Sequence, residues 1–301
     1  MENQKIKRTG SLVSLVLTSL VVMFGSMQVN AATYTLTVEP NYPTAQAQEV
    51  YKPLLTYLSK STGHTFVLKI APNYHVHWRD MRGKAKVDFT FEEAHFTDYR
   101  AKRQRMIPLV RVVEPTKYSL LISDEMAAGG VQGLIGHRIT SMSSPSLGYL
   151  LLGEIYQNPI AQPEIKSFAA NLKDGVEMIF AGESDGAMVP SYIADQYSNL
   201  QAAMVTRELP GRALSAHETV PADVRKAVSN AMLKLHLDNN LYDVISEIGT
   251  AKFVPTNAAA YAGSEKLLSS AYGYAPPRYA GSAPAKPAAP ATKPATPVKK
   301  P

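Results

Sequence analysis

The stretch YTLTVEPNYPTAQAQEVYKPLLTYLSKSTGHTFVLKI, residues 34–70, decides the fold. Tyr34 to Val38 alternates side-chain character with the period of a strand. Residues 44–62 follow, with Val50, Leu54 and Leu58 four apart on one helical stripe and Gly63 as a stop. Thr65 to Ile70 then reads as a second strand. A strand, an amphipathic helix and another strand in so short a span predict a βαβ unit with parallel pairing.

Working outward, the alternation continues. A short helix runs through Trp78 and Met81, Val87–Phe91 is a strand, and residues 94–103 are a helix. Strands follow at 107–113 and 118–123. A second series begins with a strand at 138–142 and a helix carrying Leu147, Leu150, Leu151 and Ile155. Ser144 fits the N-cap of that helix and Pro145 its first position. Further elements are a strand at 165–169, a helix at 172–180, a strand at 186–189, a helix at 192–200 and a strand at 203–207. Helices at 221–237 and 241–249 close the body. The expected fold is α/β in two lobes, with residues 32–118 and 209–275 forming a discontinuous first lobe and 119–208 the second.

Both ends differ from this body. Lys5, Lys7 and Arg8 precede an apolar run from Leu12 to Phe24, and Val29-Asn30-Ala31 places small residues where a signal peptidase reads. Residues 1–31 are therefore expected to be a cleaved export signal, cut near Ala31, because the run is short for a membrane span. Residues 276–301 contain eight prolines among alanines and lysines. Proline removes amide donors and fixes φ, so an extended, disordered tail is expected there. The net charge of +6 is likewise held at the ends: +2 in residues 1–31 and +5 in 276–301, leaving −1 for 32–275. A body so nearly neutral offers no basic face to a nucleic acid. The absence of cysteine excludes disulfides, thiolate metal sites and a cysteine nucleophile.

The chemistry-bearing residues gather after strands. Open α/β sheets bind ligands at strand C-terminal ends. Tyr42 follows the first strand, Tyr74 the second, and Glu92 with Glu93 the third. Ser144 and Ser146 open one helix of the second lobe, and Ser191 opens another. Hydroxyls and free amides at a helix start can hold an anion, and the same residues also serve as ordinary caps. The tyrosines can pack on a ligand or cover a loop. His75 and His77, with Glu92, Glu93 and His95, are of metal-ligating type, but nothing in the sequence fixes four such groups together; no phosphate loop or zinc-protease motif occurs, and no reacting pair stands out. Neither a catalytic centre, a metal nor a cofactor is expected.

Several stretches together resemble the phosphate/phosphite/phosphonate-binding proteins of ABC importers, which have the two-lobed type II periplasmic-binding-protein fold. These are Tyr51-Lys52-Pro53-Leu54-Leu55-Thr56-Tyr57-Leu58, Ala71-Pro72-Asn73-Tyr74, Val87–Phe91, Ser144–Tyr149, Leu209-Pro210-Gly211, and Gly249 through Phe253-Val254-Pro255 to Tyr261. The resemblance implies a mixed sheet flanked by helices in each lobe. It implies a periplasmic monomer that captures a small oxyanion-bearing, phosphonate-like ligand between the lobes for an inner-membrane permease. The family's site tyrosine matches Tyr74, and its serine-rich helix opening keeps a hydroxyl in register only at Ser146. Tyr42, Tyr74, Glu92, Ser144, Ser146 and Ser191 are the expected ligand residues, with Glu92 offered to an amine or hydroxyl. The alternative is a binding or sensory module of the same fold, uncoupled from an importer and with a different ligand.

Overall fold

The computed structural model describes residues 31–276. The expected signal before Ala31 and the tail after Pro276 lie outside the described residues.

The first sheet is laid down by β1 (Thr33–Val38), α1 (Thr44–Thr62), β2 (Thr65–Ile70), α2 (Tyr74–Arg82), β3 (Phe89–Glu92), α3 (Ala94–Arg103) and β4 (Met106–Val112). The chain then crosses to a second sheet. That sheet is made by β5 (Tyr118–Ile122), α4 (Gly130–Gly133), β6 (Arg138–Thr140), α5 (Leu147–Ile155), β7 (Glu164–Lys166), α6 (Asp174–Phe180), β8 (Gly186–Pro190), α7 (Ser191–Ala194) and β9 (Gln201–Val205). A second crossing returns it to β10 (Ala213–His217), α8 (Ala222–Lys234), α9 (Tyr242–Ile248) and β11 (Phe253–Pro255). Helical turns at Ala258–Tyr261 and Ser264–Ser270 end the ordered course.

The first sheet has the order β11-β4-β10-β3-β1-β2 and the second β7-β6-β8-β5-β9. Three strands run parallel in each, β2, β1 and β3 in the first and β7, β6 and β8 in the second. The next strand inward, β10 or β5, is antiparallel to them. β10 and β5 are each the strand that enters its sheet directly after a crossing. The result is two mixed sheets flanked by helices.

The α1 helix forms as its stripe predicts, but its buried side is Ala47, Tyr51, Leu54 and Leu58, with Val50 at the margin. Gly63 closes it with φ 73°. Three sequence expectations change. β10, sequence ALSAH, was not legible as a strand, because it is buried on both faces between β3 and β4 and shows no alternation. The helix expected at 192–200 ends at Ala194, followed by turns. Ser144 is not the N-cap of α5: Ser146 takes that place, accepting from Tyr149 N at 3.3 Å, and Pro145 precedes the helix.

Two apolar cores result. One lies within the first lobe, where Leu36, Val38 and Phe91 pack with Leu54, Val228 and Val244. The other fills the second lobe and continues across the lobe boundary. It joins Leu147, Leu150 and Leu151 of α5 to Tyr74, Trp78 and Phe96 of α2 and α3, and to Tyr261, Leu267 and Leu268 of the final turns. Asp98 on α3 anchors those turns by accepting from Gly263 N and Glu265 N, each at 2.9 Å. One edge of the lobe boundary is thus a dry, shared core.

Phe96 is fully buried in that junction, its ring 6.3 Å from Trp78, the single tryptophan. Phe96→Ala is expected to destabilise the protein by about 3–5 kcal/mol. Urea unfolding followed through Trp78 fluorescence measures this at the site of the change.

Candidate functional site

The crossings between sheets run side by side. Thr116 and Leu209 exchange backbone bonds, 2.8 Å from Thr116 N and 2.9 Å from Leu209 N. Gly211 presses against the Glu114 carbonyl so closely that a Cβ there would overlap it, and the Tyr261 hydroxyl donates to Gly211 O at 2.8 Å. This pinned pair sets Thr116 and Arg212 at the floor of the cleft.

The end of β3 supplies two carboxylates with opposite fates. Glu92 turns inward and is fully buried. Arg100 donates to it twice, at 2.7 and 2.9 Å, and His77 Nε2 lies 3.0 Å away. Burial alone would raise its pKa, but Arg100 and His77 override that and lower it to about 2. The expected role of Glu92 as a group open to an amine is therefore corrected: both of its oxygens are taken. Glu93, one residue on, faces the other way into the cleft. Its Oε2 accepts from Thr116 Oγ1 at 3.0 Å, while its Oε1 stands 3.8 Å from Arg212 Nε, too far for a hydrogen bond.

Glu39, just past β1, lies behind Glu93. Its Oε2 accepts from Glu93 N at 3.3 Å, and its buried Oε1 has no partner. Burial, then the charges of Glu93 and Glu92, hold the Glu39 carboxyl well above the usual carboxylate range. Burial also raises that of Glu93, against the pull of Arg212 and Thr116. Arg212 is nearly buried between Phe91 and Tyr192, with its guanidinium carbon 5.1 and 6.0 Å from those rings. One of its nitrogens donates to Ile248 O.

Two cavities meet at Tyr192. The inner one, about 230 Å³, is lined by Glu93, Thr116, Ser191, Tyr192 and Arg212 among others. The outer one, about 470 Å³, is lined by Tyr42, Gln46, Asn171, Lys173, Tyr192 and Glu247 among others. Tyr192 reaches across from the second lobe to the end of α9, where Gly249, at φ 71°, leaves no room for a side chain against its ring.

Of the residues expected from sequence, Tyr42 and Ser191 line these cavities. The Tyr42 hydroxyl donates to Glu247 at 2.5 Å, and Ser191 Oγ lies 2.9 Å from Ser119 Oγ. Tyr74 is buried, donating to Asn41 Oδ1 at 2.6 Å from a helix capped by Asn73. Of the serine turn, Ser144 is half-buried and Ser146 is committed within the fold. Ser146 Oγ also donates to Met142 O at 3.1 Å, and Pro145 O meets His95 Nε2 of α3 at 3.1 Å. Burial lowers the His95 pKa to about 3, so the ring is neutral and its Nε2–H is the donor. Arg212, Thr116 and Tyr192 are not among the residues expected from sequence, and Glu93 is named there beside Glu92 without being counted as a ligand residue. The signal for Arg212 was its place directly after Leu209-Pro210-Gly211.

Residues 182–186, GESDG, have the spacing of a nucleophile elbow. The structure uses them otherwise, as the turn from α6 into β8. Ser184 is buried, with its hydroxyl 2.7 Å from Gly186 O and 3.1 Å from Arg138 O. Among the described residues no three side chains of metal-ligating type come together.

The carboxylates should separate cleanly in stability measurements. Glu92→Gln breaks a buried ion pair and is expected to cost about 3–5 kcal/mol at neutral pH. Glu39 has the opposite sign. A carboxyl raised by folding favours the folded state at low pH, and that contribution is lost as pH climbs from the unfolded value through the folded one. Glu39→Gln should therefore be neutral or stabilising near pH 7, and should flatten stability across that window in urea titrations at a series of pH values.

Over residues 36–261 the chain matches the family described as ABC transporter, phosphonate, periplasmic substrate-binding protein. No curated protein matches it in sequence. Solved structures share its fold at low identity. A binding protein component of an ABC phosphonate transporter from Pseudomonas aeruginosa is 12% identical, with 79% of this chain and 86% of that one covered and a TM-score of 0.65. The PhnD1 protein from Prochlorococcus marinus, in complex with methylphosphonate, is 13% identical, with 79% and 97% covered and a TM-score of 0.67. A Xanthomonas citri protein bound to ATP is 13% identical, with 79% and 96% covered and a TM-score of 0.59. The two-lobed architecture is common to these proteins, and the family match runs from β1 to the final turns. This chain belongs to the periplasmic substrate-binding proteins of phosphonate ABC transporters.

Proposed function

We propose that this chain captures a small oxyanion-bearing solute between its lobes and delivers it to an inner-membrane permease. Its family is that of the periplasmic binding components of such importers, which take up a small molecule and work with a permease. On this reading residues 1–31 direct export and are removed, and the protein acts as a monomer that neither binds nucleic acid nor catalyses a reaction. A phosphonate-like ligand is the family's expectation for this chain.

The observation that carries the reading is Arg212. A nearly buried guanidinium, always charged, lines the chamber at the floor where the two crossings are pinned. An anion there replaces the water such a cation otherwise needs, and it meets residues of both lobes, including Ser191 and Tyr192. Binding at that place favours the arrangement in which the lobes approach, because only then are both sets of contacts made.

One observation supports the alternative, a binding or sensory module with another ligand. Ser146, the one hydroxyl in register with the family's serine-rich helix opening, caps α5 and donates to Met142 O, which leaves it no proton for a phosphonate oxygen.

Arg212→Lys keeps the charge and loses the planar fork. It is expected to weaken oxyanion binding about tenfold or more in calorimetric titration, with the thermal midpoint of the unliganded protein little changed. Unchanged affinity in this variant would place the solute elsewhere.

A further inference from the structure

The charges around the inner chamber do not suit a simple dianion. Its wall carries three carboxylates, Glu93, Glu114 and Asp195, against two cations, Arg212 and Lys117. Glu39 stands behind Glu93 with an unpartnered buried oxygen. A doubly charged phosphonate entering this space would face more like charge than opposite charge. It would also lack the hydroxyl of Ser146, which donates to Met142 O within the fold.

The distance between Glu93 and Arg212 is the second clue. The two groups are near neighbours in a water-poor place, yet 3.8 Å separates the closest nitrogen and oxygen. Thr116 holds the far oxygen of Glu93, and Ile248 O with the rings of Phe91 and Tyr192 holds the guanidinium. The protein positions a cation and an anion side by side without joining them. A ligand headgroup with one anionic and one cationic end completes both at once.

We propose that the solute taken by this chain is an α-amino acid with a hydrogen-bonding side chain, its carboxylate on Arg212 and its ammonium on Glu93. The proposal rests on the reading that the inter-lobe chamber is the solute site. A guanidinium with one edge already committed to Ile248 O matches the two oxygens of a carboxylate, whereas the third oxygen of a phosphonate would be left toward Glu93. The ammonium supplies the positive charge that the carboxylates lack. Burial raises both Glu39 and Glu93, the mark of acids short of a cation. The side chain then passes Tyr192 into the outer cavity, where Gln46, Asn171, Lys173, Gln196 and Glu247 offer donors and acceptors.

The test uses the exported protein, screened by thermal shift against the common L-amino acids, methylphosphonate and 2-aminoethylphosphonate. Calorimetry then compares L-glutamine with N-acetyl-L-glutamine, which lacks the ammonium. At least one polar amino acid is expected to bind more tightly than either phosphonate. Acetylation is expected to weaken glutamine about tenfold or more, and Glu93→Gln to weaken free glutamine similarly while sparing methylphosphonate. The wild-type comparison of glutamine with its acetylated form stands even where the variant folds poorly. Tighter binding of a phosphonate, equal binding of the acetylated form, or no response to any amino acid overturns the proposal. A phosphonate whose binding depends on Arg212 would do so while leaving the inter-lobe site intact. Binding indifferent to Arg212 would remove the site itself.

Discussion

The two crossings between the sheets are the constraint on which the rest depends. Thr116 and Leu209 bond to each other, and Gly211 can lie against Glu114 only because it has no side chain. Each crossing delivers the antiparallel strand that completes its sheet, β5 in one direction and β10 in the other. Unpinning them would therefore disturb both sheets together. It would also move Thr116 and Arg212, which stand on the two crossings and face Glu93 from different directions.

The adjacent carboxylates at the end of β3, Glu92 on the strand and Glu93 just past it, meet opposite environments. Successive side chains point to opposite faces. Glu92 falls on the inner face and is paired with Arg100, with His77 beside it, an arrangement whose integrity matters because Glu92 or Arg100 alone would be a buried charge. Glu93 falls on the cleft face, where its bonds are incomplete. Two chemically identical neighbours thus occupy opposite ends of the range available to a buried acid.

Much of this was legible in the sequence. The stripes of α1 and α8 and the strands around them follow from simple periodicity, as does the two-lobed α/β class. β10 escaped because a strand covered on both faces has no reason to alternate, and ALSAH is small rather than conspicuously apolar. The cap of α5 was misplaced because Ser144 and Ser146 both suit that position, and only the backbone path decides between them. The site was harder still. Glu92 and Glu93 are indistinguishable until the register of β3 is known, and a shift of one residue exchanges their roles. Arg212 meets Glu93 through the return crossing, a long-range encounter that no local pattern records.

The shared core along one edge of the lobe boundary has a thermodynamic consequence. The seam joining α2, α3 and α5 is apolar, whereas the opposite edge, at Tyr42, Tyr192 and Glu247, is wet and polar. Parting the first edge would hydrate hydrocarbon and aromatic surface and carry a large positive heat-capacity change. Parting the second exposes polar side chains along with the half-buried rings of Tyr42 and Tyr192, and its heat-capacity change is smaller. On the proposed function, solute exchange through the polar edge would be an event whose enthalpy varies less with temperature than that of parting the shared core.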